Sequence, residues 1–396
     1  MPADMADQAP KIPKPIVSIA RLDEYEPDRV ERAIEEVLEP LGGMKAFVVQ
    51  GEEVILKPNF LKPAAVETAV CTHPEIMRAA ARLSLKAGAG RVVVTDSPAV
   101  ATASRCAKKL GLGDHEPFTV EELDEAVELP SPHKRFQRIK VARRLKEARS
   151  LINLPKAKTH GQMMMTAAVK NLFGAVLNVE KAQWHFRAGR DEHVFARLLI
   201  EIFEMVKPHL NLLDAVVGME GNGPGAGDPR KLGFIAASTS AHALDLVLCT
   251  ILGIPAIDVF TVETAARMGL VPPFDEIEIV GADPLSLRPD PPLRMARPVS
   301  THRFRFPAWA GGVFERLFVL RPETDHEKCT LCGQCVEVCA ARALEIDPKA
   351  RKLMLDRDLC ISCFCCQEVC PEGAISVSAG MVAKLLGIGK SPSGKE

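Results

Sequence analysis

Cys329-Thr-Leu-Cys332-Gly-Gln-Cys335-Val-Glu-Val-Cys339 and Cys360-Ile-Ser-Cys363-Phe-Cys-Cys366-Gln-Glu-Val-Cys370 are two copies of one spacing, displaced by 31 residues. Three soft thiolates at consecutive x2 intervals wrap a loop around a cubic iron–sulfur group, and the fourth crosses to the neighbouring group. The spacing therefore predicts two 4Fe–4S clusters. The first takes Cys329, Cys332, Cys335 and Cys370, and the second takes Cys360, Cys363, Cys366 and Cys339. Structural zinc closes on four ligands, normally from two separated pairs, and does not call for the triple. Cys365 sits one residue short of third-ligand spacing from Cys363. It reads as a buried non-ligand, with ligand swapping as the alternative.

A short apolar strand is expected after each run, through Ala343, Leu344 and Ile346 and through Ala374, Ile375 and Val377. Two such halves around a common core make a small α+β domain over 325–378. Upstream, residues 291–324 form a basic, proline-rich linker ending in an apolar stretch at 309–320, and this linker is expected to lie against the acidic cluster domain or to be solvated. Residues 1–14 and 379–396 read as tails.

The whole chain has 396 residues, 47% hydrophobic content and a net charge of −1. That balance points to neither nucleic acid nor membrane insertion, and no apolar run approaches the roughly 20 residues of a membrane span. Nothing near Met1 resembles a secretory signal, so disulfides are disfavoured and a reducing cytoplasm is expected.

Residues 15–290 alternate short β-branched runs with helical periodicity, the pattern of an α/β domain with a largely parallel sheet and flanking helices. Val30, Ala33, Ile34, Val37 and Leu38 make one helical stripe ended by Gly42-Gly43, and Thr72-x-x-Glu75 is the expected capping box of a helix stopping at Gly88. Strands are expected at 54–56, 92–95, 151–154, 212–217 and 234–237, each followed by polar residues. Ligands bind beyond the carboxyl ends of strands in open parallel sheets, so these residues should converge on one crevice.

Lys57, Lys156, Lys158 and Lys170 would make that crevice cationic, suited to an anionic small molecule, with Asn59, Ser97, Asn171 and Asn222 as further binding groups. Asp96, Glu220 and His160 are the candidate catalytic groups, and His185 and Asp245 are further titratable candidates. The glycines alternating over 221–227 would let backbone N–H groups approach an anion, or form a plain turn. Met163, Met164 and Met165 read as core, and Trp184-His185-Phe186 as aromatic bulk beside the site or in the core.

Two resemblances rest on these motifs. The cysteine region resembles the bacterial dicluster ferredoxin domain, with the usual proline after the fourth cysteine kept as Pro371 but replaced by Ala340 in the first run. Leu56-Lys-Pro-Asn59, Val94-Thr-Asp-Ser-Pro98, Leu154-Pro-Lys-Ala-Lys-Thr-His160, Val169-Lys-Asn-Leu-Phe-Gly174 and Met219-Glu-Gly-Asn-Gly-Pro224 resemble the family called domain of unknown function 362, over about 50–290. The resemblance implies the architecture and site residues but no reaction.

Three functions follow as expectations. In the first, the clusters pass electrons between an external donor or acceptor protein and the anionic molecule in the crevice. In the second, the chain is an electron-transfer adaptor that docks a partner enzyme. In the third, it is a non-redox enzyme with structural or sensing clusters.

Overall fold

Period-2 alternation builds the centre of this molecule. Ile55 faces one side of a sheet while Val54 and Leu56 face the other, and the same split recurs at Leu213 against Leu212 and at Phe234 against Ile235. A computed structural model describes residues 14–178, 180–189, 191–296 and 321–378. The expected C-terminal tail, nearly all of the N-terminal one and linker residues 297–320 lie outside the described residues.

The strands of the main body are β1 (Ile16–Arg21), β2 (Glu53–Pro58), β3 (Arg91–Val94), β4 (Thr119–Val120), β5 (Ala126–Pro130), β6 (Arg138–Ala142), β7 (Leu151–Leu154), β8 (Lys156–His160), β9 (Met164–Thr166), β10 (Leu210–Glu220), β11 (Asp228–Ser238) and β12 (Glu278–Gly281). The sheet runs β12-β1-β11-β10-β7-β2-β3-β4, with β8 beside β10 and β9 beside β8. Pairings from β10 through β4 are parallel, as is β1 with β12, and β11 is antiparallel to both neighbours. The fold is thus α/β with a largely parallel sheet. β5 and β6 form a separate hairpin that the sequence reading did not anticipate.

Helices cover both faces. Pro27–Leu38 and Pro74–Lys86 pack on one, and Glu192–Val206 and Ala241–Leu252 on the other. The first buries the expected stripe of Val30, Ala33, Ile34, Val37 and Leu38, and Gly42 follows in the left-handed region at φ 94°. The expected capping box at Thr72 does not form. His73 is the N-cap, its ring nitrogen accepting from Glu75 N, because Thr72 Oγ1 is already committed to Asn59 N and Leu154 O. Met163 and Met165 lie in the core.

The antiparallel course of β11 corrects a second expectation. Ser238 pairs opposite Asn211 at the start of β10, so Ser238 and Ser240 lie at the far edge from the carboxyl ends of the parallel strands.

The cysteine region contains two antiparallel pairs, β13 (Arg321–Thr324) with β16 (Ile375–Ser378) and β14 (Leu344–Asp347) with β15 (Lys352–Leu355). Short helices Gln334–Glu337 and Cys365–Val369 follow the ligand loops. Leu344, Leu353, Ala374 and Ile375 pack with Cys335, Cys366 and Cys370 in one core. In the described part of the linker, Arg294 pairs with Glu220 and Asp228 of the α/β body rather than with the cysteine region.

Candidate functional site

The carboxyl ends of β2, β3 and β8 meet the helix Cys365–Val369, and a cavity remains between them. From the α/β body it is lined by Asn59, Asp96, Ser97, Lys158, Lys170 and Asn171, with Lys181 and His185 from helix Glu180–Ala188. Val338, Cys365, Glu368 and Val369 close it from the cysteine region. Val338, Cys365 and Val369 also pack on Ala182, so an apolar contact surrounds a polar interior.

Each lysine has a different environment. Lys158 is 1% exposed, and its Nζ donates to Asn59 Oδ1 at 2.5 Å and Val70 O at 2.8 Å. Burial, with Lys170 and Lys156 nearby, brings its pKa down to about 7 although Cys71 and Glu368 act the other way. Lys181 donates to Ser97 O, Ser97 Oγ and Val176 O, and burial lowers it likewise to about 7. Lys170 is half-buried and lacks a carboxylate within ion-pair distance among the described residues.

Asn59 transmits the position of Lys158 into the sheet through a chain of amides. Asn59 Nδ2 donates to Asn171 Oδ1 (3.0 Å), Asn171 Nδ2 to Asn153 Oδ1 (2.8 Å), and Asn153 Nδ2 to Asn211 Oδ1 (2.9 Å). Such a buried chain is rigid only when every member is satisfied, and here it ends on Ser238 O. Asn171 and Lys170 stand on a one-turn helix, Ala168–Asn171, whose first amides Ala168 N and Val169 N are held by Asp245. Burial raises Asp245 to about 6. The Asp245 carboxylate therefore caps this helix.

Glu368 is surrounded by His160, Lys170 and His185, which hold its carboxyl well below the usual range against the opposing effect of burial. His160 Nε2 lies 3.2 Å from Glu368 Oε1, although not in hydrogen-bond alignment. Its Nδ1 accepts from Gln162 N and Met163 N, which leaves the proton of the neutral ring on Nε2. Burial lowers His160 to about 4 and His185 to about 3, so both rings are uncharged at neutral pH. Thr166 Oγ1 and His185 Nδ1 are buried without a hydrogen-bond partner. Unsatisfied polar atoms beside cationic groups favour an anionic, hydrogen-bonding occupant.

Other candidates stand away from the cavity lining. Lys57 Nζ pairs with Asp96 Oδ1 at 2.9 Å, one layer behind the wall, and His160 reaches the cavity through Glu368. Lys156 is neutralised by Asp214 at 2.7 Å under Tyr25, which stacks on His73. Glu220 is tied to Arg294 and Asn222 is exposed. Lys181, Glu368 and Thr166 were not singled out from sequence. Lys181 sits on a short charged helix that reads as surface, and Glu368 repeats Glu337 of the first cysteine run, so duplication masks it.

The glycine-rich loop performs close backbone packing. A Cβ on Gly223 would lie 2.1 Å from Thr159 O, on Gly227 2.3 Å from Glu220 O, and on Gly225 2.6 Å from Glu368 O. Gly225 is therefore the seat of the cysteine region. Gly225→Val should unseat helix Cys365–Val369, giving faster amide exchange over residues 365–370 with iron content kept. Unchanged exchange would discount this contact.

The structure brings Cys329, Cys332, Cys335 and Cys370 around one cavity, lined also by Thr330, Glu372 and apolar side chains such as Ile346, Leu353 and Ile375. Burial, then Cys332, Cys370 and Cys329, push the Cys335 thiol up to about 11. Cys366 is raised in the same way by burial and by Cys363, Cys360, Cys335 and Cys339. Crowded buried thiols resist ionisation until a cationic group is present, so these residues fit an iron–sulfur group. Cys365 lies on the wall of the other cavity.

Comparison with known proteins agrees. A family model described as Domain of unknown function (DUF362) matches residues 54–250, and one described as 4Fe-4S dicluster domain matches 328–374. A thylakoid-associated protein of Synechocystis sp. is 36% identical over 281 residues, covering 68% of this chain and 85% of that protein. The chain belongs to the DUF362 family. Its C-terminal region is a 4Fe–4S dicluster domain. Among solved structures, a protein from Thermotoga maritima aligns with TM-score 0.38 at 12% identity, covering 87% of this chain and 91% of that one. The lactate racemase apoprotein from Thermoanaerobacterium thermosaccharolyticum aligns with TM-score 0.37 at 15% identity, covering 59% and 57%. In this DUF362 chain the two matched segments meet at the lysine-lined cavity. Among the described residues no helix is long and apolar enough to cross a membrane.

Proposed function

We propose that this protein is an iron–sulfur redox enzyme whose two 4Fe–4S clusters exchange electrons with an anionic small molecule in the cavity between the α/β body and the dicluster domain. One observation carries the reading: Cys365 and Glu368, which line the cavity, are on the same short helix as the ligand Cys366. The clusters supply electrons one at a time. Lys170, Lys158 and Lys181 bind and polarise the anion, and Asn59 and Asn171 keep Lys158 in place. Glu368, with His160 behind it, and His185 hold or move protons at the wall. Val338 and Val369, with Phe60 and Phe173, exclude water. Cys332 is exposed, so an external electron donor or acceptor protein meets the first quartet there. Thiolate ligation needs a reducing compartment, and we assign the protein to the cytoplasm.

The anion site has a pH signature. Lys158 and Lys181, at about 7, lose their charge as pH rises through neutrality, so anion affinity should fall across that range. In the anion-free protein the folded state holds fewer protons than the unfolded chain from about 7 up to the ordinary lysine value. Stability should therefore rise with pH over that window. Titration of the anaerobic protein with acetate, which stays a monoanion from pH 6 to about 9, tests the sign. Affinity that is flat or climbs with pH removes these lysines from the site.

Function itself is tested by anaerobic purification, iron and sulfide counts, and mass spectrometry of small molecules released on denaturation. Two clusters with a co-purifying anion whose addition reoxidises the reduced protein or reduces the oxidised one support the reading. Redox-inert clusters towards every released anion would leave it without a reaction.

A further inference from the structure

We infer that Lys62 sets the reduction potential of the cluster held by Cys329, Cys332, Cys335 and Cys370. The inference rests on the cluster assignment above. Lys62 lies in the loop after β2, yet its Nζ donates to the backbone carbonyl of Cys370 at 2.5 Å, across 308 residues of sequence. The side chain is only 5% exposed. No carboxylate lies within ion-pair distance of it among the described residues, and the charged or ionisable groups that face it are Cys370, Cys71, Glu368 and Glu372. Burial lowers the Lys62 pKa and these four groups act the other way, while its amine is fixed by geometry on the backbone carbonyl of a cluster ligand.

Reduction adds one negative charge to a cluster. A fixed, poorly screened cation at a ligand favours the reduced form, and it is one of the charge and hydrogen-bond levers by which proteins move cluster potentials. The geometry holds Lys62 in this position from two sides. Gly225 packs 3.4 Å from Lys62 Cε, measured from the position its Cβ would take, and Cys71 Sγ donates to Lys62 O at 3.3 Å. The same loop carries Asn59 and Phe60 on the wall of the cavity, so one short segment, residues 59–62, touches both that cavity and a residue that would hold the first cluster. Lys62 is a positioning and tuning residue. It is not a ligand and does not line the cavity.

The test uses the full chain, purified anaerobically, with potentiometric titration followed by electron paramagnetic resonance. Lys62→Met should lower the midpoint of one cluster by at least the equivalent of a tenfold change in its redox equilibrium, ~59 mV for one electron. The other cluster should move less, and Lys62→Arg should stay near wild type. Lys62→Gln, which keeps a donor but no charge, should behave like Lys62→Met, separating charge from hydrogen bonding. Unchanged midpoints in the neutral variants overturn the inference, as does an equal shift of both clusters. Loss of iron from both neutral variants but not from Lys62→Arg also overturns it, in favour of a structural role. Wild-type protein without iron would instead defeat the cluster assignment itself, and anion binding through Lys170 is independent of either result.

Discussion

Asp96→Ala should destabilise the α/β body by about 3–5 kcal/mol, the cost of leaving one member of a buried ion pair without its partner. Lys57 and Asp96 are almost fully buried and 2.9 Å apart, and Asp96 also accepts from Phe60 N and Ser97 N at 2.8 Å. Burial already lowers the Lys57 pKa, and Asp96 is the group that opposes this. Gly174 accounts for how closely the surrounding backbone approaches, since a Cβ there would lie 2.0 Å from Asp96 Oδ1 and 2.6 Å from Lys57 Nζ. The loss should appear as a lower urea midpoint in far-UV circular dichroism. The double variant Lys57→Met, Asp96→Ala should regain much of it, because no uncompensated charge remains. A single-variant loss below about 1 kcal/mol would mean that water reaches this pair.

Lys170→Met should weaken anion binding by about 2 kcal/mol or more, over tenfold in Kd, because it removes a cavity cation that, unlike Lys57 and Lys156, is held in no ion pair among the described residues. Lys156→Met is the informative control. Its amine is held by Asp214 and Tyr25 away from the cavity, so the variant should lose stability while binding acetate or phosphate as wild type does. Equal affinity for Lys170→Met and wild type would remove the cavity from the function proposed here.

The strands at residues 151–154 and 54–56, the helical stripe from Val30 to Leu38 and the dicluster region were legible because each depends on local periodicity or spacing. The capping box suggested by Thr72 and Glu75 is not realised, because the Thr72 hydroxyl satisfies two distant backbone groups, an engagement that leaves no local trace in sequence. The glycine-rich loop was legible as unusual but not as a seat, since the atoms it approaches belong to Thr159, Glu220 and Glu368. Asp245 reads as an acid in sequence and acts as the cap of a helix some 77 residues away.

By itself the sequence determined the ligand chemistry and the α/β class, because thiolate spacing and side-chain alternation act over a few residues. Only the tertiary structure decided which cations face the cavity. Lys156 and Lys158 are two residues apart on β8 and should share one face, yet β10 pairs Lys156 with Asp214 and Lys158 with Met219. That irregular register gives Lys156 an internal carboxylate and leaves Lys158 to the cavity. The closing wall, from Val338 to Val369, comes from chain more than a hundred residues downstream, so desolvation and pKa values at the site exist only once the two regions dock.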